Sequence, residues 1–294
     1  MGPEQARIEP VLAYFHSSKR VIQAKSSSFY FAFSRLPDYQ AYSIFVLYDF
    51  LRQLDDAADT KNHIKFNALV LDWETASKNS NITLNDRSTI AEKLVYIFQA
   101  FAIDLNDMHD MIRGQRQDLD QEVIHTLAQL EYYCYQVAGT VGCMIYDILS
   151  TTKITEIRQN IIDVGVALQL TNIIRDVYED ALEDKCFIPT ELLASYGIDK
   201  SDLLLLPTNK QLRKLLKSLS DGALAKCKES QVIIDRVSEK KSKLSLAVSI
   251  DVYQKILLKL IHKNFENIQQ RVCVTKLEKI NILAKIYIKN LIRF

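Results

Sequence analysis

The chain carries 37 Lys and Arg against 36 Asp and Glu over 294 residues, a net charge of +1, and 48% of its residues are hydrophobic. Near-neutrality, with no Lys/Arg run interleaved with aromatics, argues against a nucleic-acid partner, while the apolar content suffices for a sizeable core. Five cysteines, Cys134, Cys143, Cys186, Cys227 and Cys273, form no Cys-x-x-Cys pair and sit mostly in apolar patterns. They read as reduced thiols of a cytoplasmic protein rather than disulfides or zinc ligands. The opening MGPEQARIEPVLAYF lacks a basic region followed by an apolar one, and no stretch approaches about 18 apolar residues, so neither a signal peptide nor a membrane span is expected.

Seven Gly and five Pro, with almost no period-two alternation, predict long helices in one all-α domain over residues 1–294. The first informative stretch is Lys25 to Pro37, KSSSFYFAFSRLP: Ser26, Ser27, Ser28 and Lys25 offer donors and charge to an anion, followed by Phe29, Tyr30, Phe31 and Phe33. Taken alone it is a helix cap with an aromatic core face. After the Leu36-Pro37 break, Asp38 caps a helix to about Asp59. Helices are expected over about 62–78, 86–103 and 104–118, with the polar KNSNITLNDR of 78–87 as a surface loop. Two long helices follow, about 121–150 and 154–182. Phe187-Ile188-Pro189 breaks the pattern, Thr190 caps a short helix ending at Gly197, and amphipathic helices fill about 208–242, 246–270 and 276–291. The end, AKIYIKNLIRF, is both basic and apolar; a core helix is the plainer reading, a membrane-surface contact through Lys285, Lys289 and Arg293 the sharper one.

Within 154–182 the stretch GVALQLTNIIRDVYED places Gln169, Asn172, Asp176 and Asp180 at spacings of three, four and four, one stripe of an otherwise apolar helix. The 38–59 helix repeats the pattern with Tyr48, Arg52, Asp55 or Asp56, and Asp59. Buried carboxylates need a partner, because each costs several kcal/mol to desolvate. If the two helices face each other, four carboxylates line one cavity that only cations make tolerable. An all-oxygen donor set without His or Cys points to Mg²⁺, which completes its shell with water and substrate phosphates. A third stretch, YCYQVAGTVG, sets Gly139 and Gly142, with Gly165 further on, inside expected helices at about 1 kcal/mol each against Ala. They leave space either for close helix packing or for a substrate, and spacing does not choose between the two.

Four stretches in this order, KSSSFYFAF, RQLDDAAD, YCYQVAGTVG and QLTNIIRDVYED, resemble the squalene/phytoene synthase family of head-to-head trans-isoprenyl diphosphate synthases, from about Ile22 to Lys279. The resemblance implies a single-domain isoprenoid synthase helical bundle around a central cavity. It implies two or three Mg²⁺ ions held by Asp55, Asp59, Asn172, Asp176 and Asp180, the four aspartates being the catalytic set. It further implies contacts to prenyl diphosphates from Lys25, Ser26, Ser27, Ser28, Tyr48, Arg52, Tyr133, Gln169, Arg175 and Tyr253, and from Arg271 and Lys279. The segment after the second acidic pair departs from the family's Arg- and Gly-rich pattern, reading EDKCFIP, with Lys185 its one candidate for a diphosphate contact.

The implied reaction ionises one prenyl diphosphate, adds the second chain through a cyclopropylcarbinyl diphosphate, and rearranges to a linear hydrocarbon. Phe29 and Phe33, as a bulky cavity floor, favour two farnesyl diphosphates and a dehydrosqualene or squalene product; phytoene from two geranylgeranyl diphosphates is the alternative. Whether NADPH reduces the last cation is not legible. A head-to-tail elongase also matches the DDxxD of Asp55 to Asp59, but no Arg-Arg pair follows it. A non-catalytic assembly factor would have lost carboxylates, and both pairs are intact.

Overall fold

The computed structural model describes residues 2–150, 155–205, 209–266 and 268–292, and among them there is no strand. The N-terminal segment, for which the sequence pattern gave no element, folds into α1 (Pro3–Ile8), a 3₁₀ turn and α2 (His16–Lys25). Ser26 then breaks the backbone, and its hydroxyl accepts from the Phe29 N–H at 3.4 Å to start α3 (Ser27–Phe33). Helix α4 (Asp38–Asp59) has Ile44, Phe45, Val46, Leu47 and Phe50 buried, as expected of a helix apolar nearly all round.

Helices α5 (His63–Ser77), α6 (Ile90–Phe101) and α7 (Leu105–Asp120) follow. The first turn expected for α6 is absent, because a capping box between Thr89 and Glu92 sets its start. The helix expected over 121–150 is interrupted twice. Gln121 turns left-handed (φ 54°) to end α7, and a second capping box, Thr126 with Gln129, begins α8 (Leu127–Cys134). A π-helical turn at Tyr135–Gly139 then separates α8 from α9 (Thr140–Leu149).

Helix α10 (Arg158–Leu182) carries the second acidic row; the start expected at 154 lies outside the described residues. After α11 (Thr190–Ser195) the expected 208–242 helix, whose first residue is also outside them, is broken into α12 (Lys210–Lys226), a 3₁₀ turn and α13 (Ser230–Arg236). Val237 is extended, and Glu239 caps α14 (Lys240–His262) by accepting from the Ser242 N–H at 2.5 Å. Helix α15 (Lys276–Ile292) closes the chain. One buried apolar cluster runs from Ile8 to Ile286, and all five cysteines are unpaired thiols. Among the described residues no helix is long and apolar enough to cross a membrane.

Candidate active site

Helices α3, α4, α7, α9, α10 and α14, the π turn and residues 271–279 enclose a cavity of about 840 Å³. Every site residue implied by the family resemblance lines it, from Lys25 to Lys279, with both phenylalanines of the proposed floor; of Asp55 and Asp56, it is Asp55 that does so. Its polarity follows the helix register. In α10, Ile161, Val164 and Leu168 face the cavity below Gln169, Asn172, Asp176 and Asp180; eight residues at 1.5 Å each put Asp176 about 12 Å above Leu168. The acids thus ring one end, and apolar side chains such as Val137, Val141 and Ile145 line the other.

In the first row Arg52 sits at the centre. Its two terminal nitrogens reach Asp55 Oδ2 and Asp56 Oδ1, both at 2.5 Å, while Lys25 approaches Asp56 from α2 at 3.8 Å. Asp59 accepts from Lys185 Nζ at 2.9 Å. Burial, then the neighbouring Asp59, pushes the Asp55 carboxyl up to about 6.

In the second row Arg175, which the spacing placed one residue off the stripe, curls back to hold Asp176 through Nε at 2.7 Å and through Nη2. Arg271 adds a contact to the same carboxylate at 3.4 Å. Asp180 is pushed up to about 7 by burial and by Asp176. Asn172 Nδ2 donates to Gln169 at 3.2 Å, and its Oδ1 is buried without a partner.

The outer wall joins distant segments. Lys279 Nζ donates to Ser27 Oγ at 3.1 Å, and Phe29 stacks on Phe33 with ring centroids 5.9 Å apart while lying 5.6 Å from the Tyr253 ring. Burial raises the Tyr253 phenol, opposed by Arg175.

A third polar wall escaped the sequence analysis. Gln115 and Asp118, one helical turn apart on α7, both line the cavity, and Tyr133 donates to Asp118 at 2.9 Å while stacking on Phe187 at 5.4 Å. Burial pushes Asp118 up to about 8; the Tyr133 hydrogen bond works against this, and Asp55 and Asp59 add to it. The signal was present as a Gln-x-x-Asp stripe, but flanking Arg113, Arg116 and Asp120 made the whole face look solvated.

The glycines divide by function. A Cβ on Gly165 would meet Ala138 O at 2.6 Å and Gly139 Cα at 2.7 Å, so this glycine exists for the closeness of α10 to the π turn. On Gly142 the nearest atom would be Ile161 Cγ2 at 3.4 Å, an ordinary contact, and the cavity lies beside it. Gly114, which the sequence did not single out, leaves no room for a Cβ, which would meet Val137 Cγ1 at 2.7 Å and Gln136 Cβ at 2.8 Å.

The donor set suits a hard cation: carboxylate oxygens from two helices and an orphaned buried carboxamide oxygen at Asn172. Among the described residues, no three of His, Cys, Asp and Glu converge tightly enough to hold an ion as they stand, and Arg52, Lys185, Arg175 and Arg271 sit on Asp55, Asp59 and Asp176.

A model of squalene/phytoene synthase matches residues 22–278. The chain belongs to the squalene/phytoene synthase family. Phytoene synthase 3 of the Zea mays chloroplast is 27% identical over 303 residues, spanning 99% of this chain and 71% of the relative. Chloroplastic phytoene synthase 1 of Solanum lycopersicum is 29% identical over 258 residues, spanning 85% of this chain and 62% of the relative. A dehydrosqualene synthase crystallised with a ligand superposes with a TM-score of 0.86 at 27% identity, covering 97% of this chain and 99% of that one. These relatives are prenyltransferases, and the squalene/phytoene synthase bundle is the all-α fold the sequence predicted.

Proposed function

We propose that this chain joins two farnesyl diphosphates head to head through a cyclopropylcarbinyl diphosphate to give dehydrosqualene or squalene. The observation that carries the reading is one cavity with two opposed characters, acid and base at one end and a mostly apolar lining at the other. Asp55, Asp59, Asn172, Asp176 and Asp180 would hold Mg²⁺, which when bound neutralises charge on a leaving diphosphate. Both acidic rows being intact favours an enzyme over an assembly factor.

The chain's own side chains account for the rest. Arg52, Arg175, Arg271, Lys25 and Lys279 supply donors and charge to diphosphate oxygens, with Ser26, Ser27 and Ser28 at the start of α3. As the first substrate's carbon–oxygen bond breaks, its electron pair leaves with the diphosphate, and the faces of Phe29, Tyr48 and Tyr253 lie beside the allylic cation. The second chain's double bond supplies the electrons of the new carbon–carbon bond, and loss of a proton closes the three-membered ring. Tyr133 and Gln169 orient this end of the cavity, while Val137, Val141 and Ile145 exclude water that would quench the cation. Proton loss from the last cation would give dehydrosqualene, whereas squalene would need hydride from NADPH.

Phe29 and Phe33 support the shorter substrate, and the dehydrosqualene synthase likeness is in the same direction; the phytoene synthase relatives favour two geranylgeranyl diphosphates. Incubation with Mg²⁺ and each diphosphate, with and without NADPH, should give a C30 hydrocarbon from farnesyl diphosphate and little from the longer substrate. Phe33→Ala should admit geranylgeranyl diphosphate, read as C40 product by gas chromatography. A wild-type protein making only C40 product would replace the farnesyl reading with the phytoene one, and an unchanged preference in the variant would remove Phe33 from the argument.

For release of so apolar a product we assign the protein a peripheral contact with an anionic bilayer through α15. Its inner face holds the buried Lys279 and Ile286; its outer face shows Leu277, Ile280, Tyr287 and Ile288, 74%, 45%, 59% and 55% exposed. At 100° per residue these four fall within one third of the helix circumference, flanked by Lys276 and Lys285. Arg293, part of the expected basic set, lies outside the described residues.

A further inference from the structure

The acid-rich end of the cavity has a resident cation whose position is fixed by backbone rather than by side-chain chance. Helix α10 ends at Leu182, and Asp184 turns left-handed at φ 60°. The Asp184 N–H then donates to Ala181 O at 3.2 Å and the Lys185 N–H to Asp180 O at 2.9 Å, the paired bonds of a Schellman motif. Aspartate tolerates the left-handed conformation better than most residues, so this turn forms without glycine. Its consequence is that Lys185 emerges three residues past the helix, facing back toward the cavity it lines.

From there Nζ reaches Asp59 Oδ1 and Glu183 Oε2, each at 2.9 Å, with only 19% of the side chain exposed. Asp59 is the last residue of α4, so the ammonium sits where the C-terminal, negative ends of α4 and α10 converge. Its charge also reaches Asp55, Asp118 and Asp180, carboxyls borne by three different helices. Arg52 and Arg175 each serve acids on their own helix, whereas Lys185 spans from the end of one acidic helix to the end of the other.

We infer that Lys185 is a built-in counter-ion that occupies Asp59 in the substrate-free protein and must yield it when a divalent ion arrives with a diphosphate. This rests on the Mg²⁺ reading above. Carboxylates held by a tethered ammonium bind a lone metal ion poorly, because the ion must displace a partner already at hydrogen-bond distance. A diphosphate alters that balance by offering Lys185 new oxygens at the moment it brings the metal. The chain therefore loads metal and diphosphate together rather than metal first, and Lys185 is a positioning residue for that order.

The test uses Mn²⁺ as the probe, its free ion read by electron paramagnetic resonance, with inorganic pyrophosphate as the diphosphate. Wild type should bind Mn²⁺ weakly alone and much more tightly with pyrophosphate. Lys185→Met should bind Mn²⁺ without pyrophosphate on the order of tenfold more tightly than wild type, and the gain should vanish when Asp59→Asn is added. Lys185→Arg should behave as wild type. Without divalent ions the thermal midpoint of Lys185→Met should fall by a few degrees and recover with Mg²⁺. Asp184→Gly, which keeps the turn, guards against misreading a damaged fold: it should retain wild-type Mn²⁺ binding. If wild type binds Mn²⁺ through Asp59 but Lys185→Met binds no more tightly, the counter-ion role is wrong and the metal reading stands. If no variant binds Mn²⁺ even with pyrophosphate, both are overturned.

Discussion

At the scale of single residues the acidic rows were legible because each lies on a helix with little else that is polar. Asp55, Asp59, Asp176 and Asp180 stand out against Ile, Leu and Val. Asp118 did not, since α7 also carries surface charge. What no sequence pattern gives is the partner of each acid: that Arg175 folds back on its own neighbour, or that Asp59 is taken by a lysine 126 positions away, depends on packing. Asp118 makes a prediction about pH. Its folded-state value of about 8 lies above the ordinary carboxylate range, so the folded state holds a proton that the unfolded chain releases near 4. Stability from this group is complete below about pH 4 and is lost as pH rises toward 8, and the raised Asp55 and Asp180 act in the same direction. Thermal midpoints without metal should accordingly fall between pH 5 and pH 8.5. Asp118→Asn still accepts from Tyr133 and should flatten that slope; an unchanged slope in scanning fluorimetry would show that the carboxyl is ordinary.

Among the elements, helix identity was easy and helix ends were not. Apolar periodicity runs through the breaks at 121–126 and 227–239, so long helices were read where the chain turns. The caps that make those turns, Thr126 with Gln129 and Glu239 with Ser242, are side-chain bonds of one or two residues set against fifteen or more periodic positions. The π turn left no signal at all, yet it gives Tyr133, Val137 and Val141 their common aspect toward the cavity. Its packing against α10 is testable through glycine. Gly165→Ala drives a methyl into backbone atoms at 2.6 and 2.7 Å that cannot rotate away, and should destabilise by about 1–3 kcal/mol. At Gly142 the same change meets only ordinary contacts and should be neutral or stabilising by up to about 1 kcal/mol from helix propensity. Equal effects at the two sites in urea unfolding would mean that the close approach of α10 to the π turn is not what Gly165 provides.

For the molecule as a whole, the all-α architecture and the family were both readable from four motifs, whereas the outward apolar stripe of α15 needed the fold to say which of its two faces is covered. Flotation with phosphatidylglycerol vesicles tests that stripe. Wild type should rise with anionic vesicles, less with phosphatidylcholine ones and less at high salt; Ile280→Glu with Ile288→Glu should stay behind. Equal flotation of the double variant would place the contact elsewhere. The bond between Lys279 and Ser27 joins residues 252 positions apart across the rim of the cavity. A ribosome releases the serine segment and the first acidic row first, the second row more than a hundred residues later, and Lys279 about a hundred residues after that. The wall that seals prenyl chains from water is thus laid down after both acidic rows, and a nascent chain with both rows folded still has an open side.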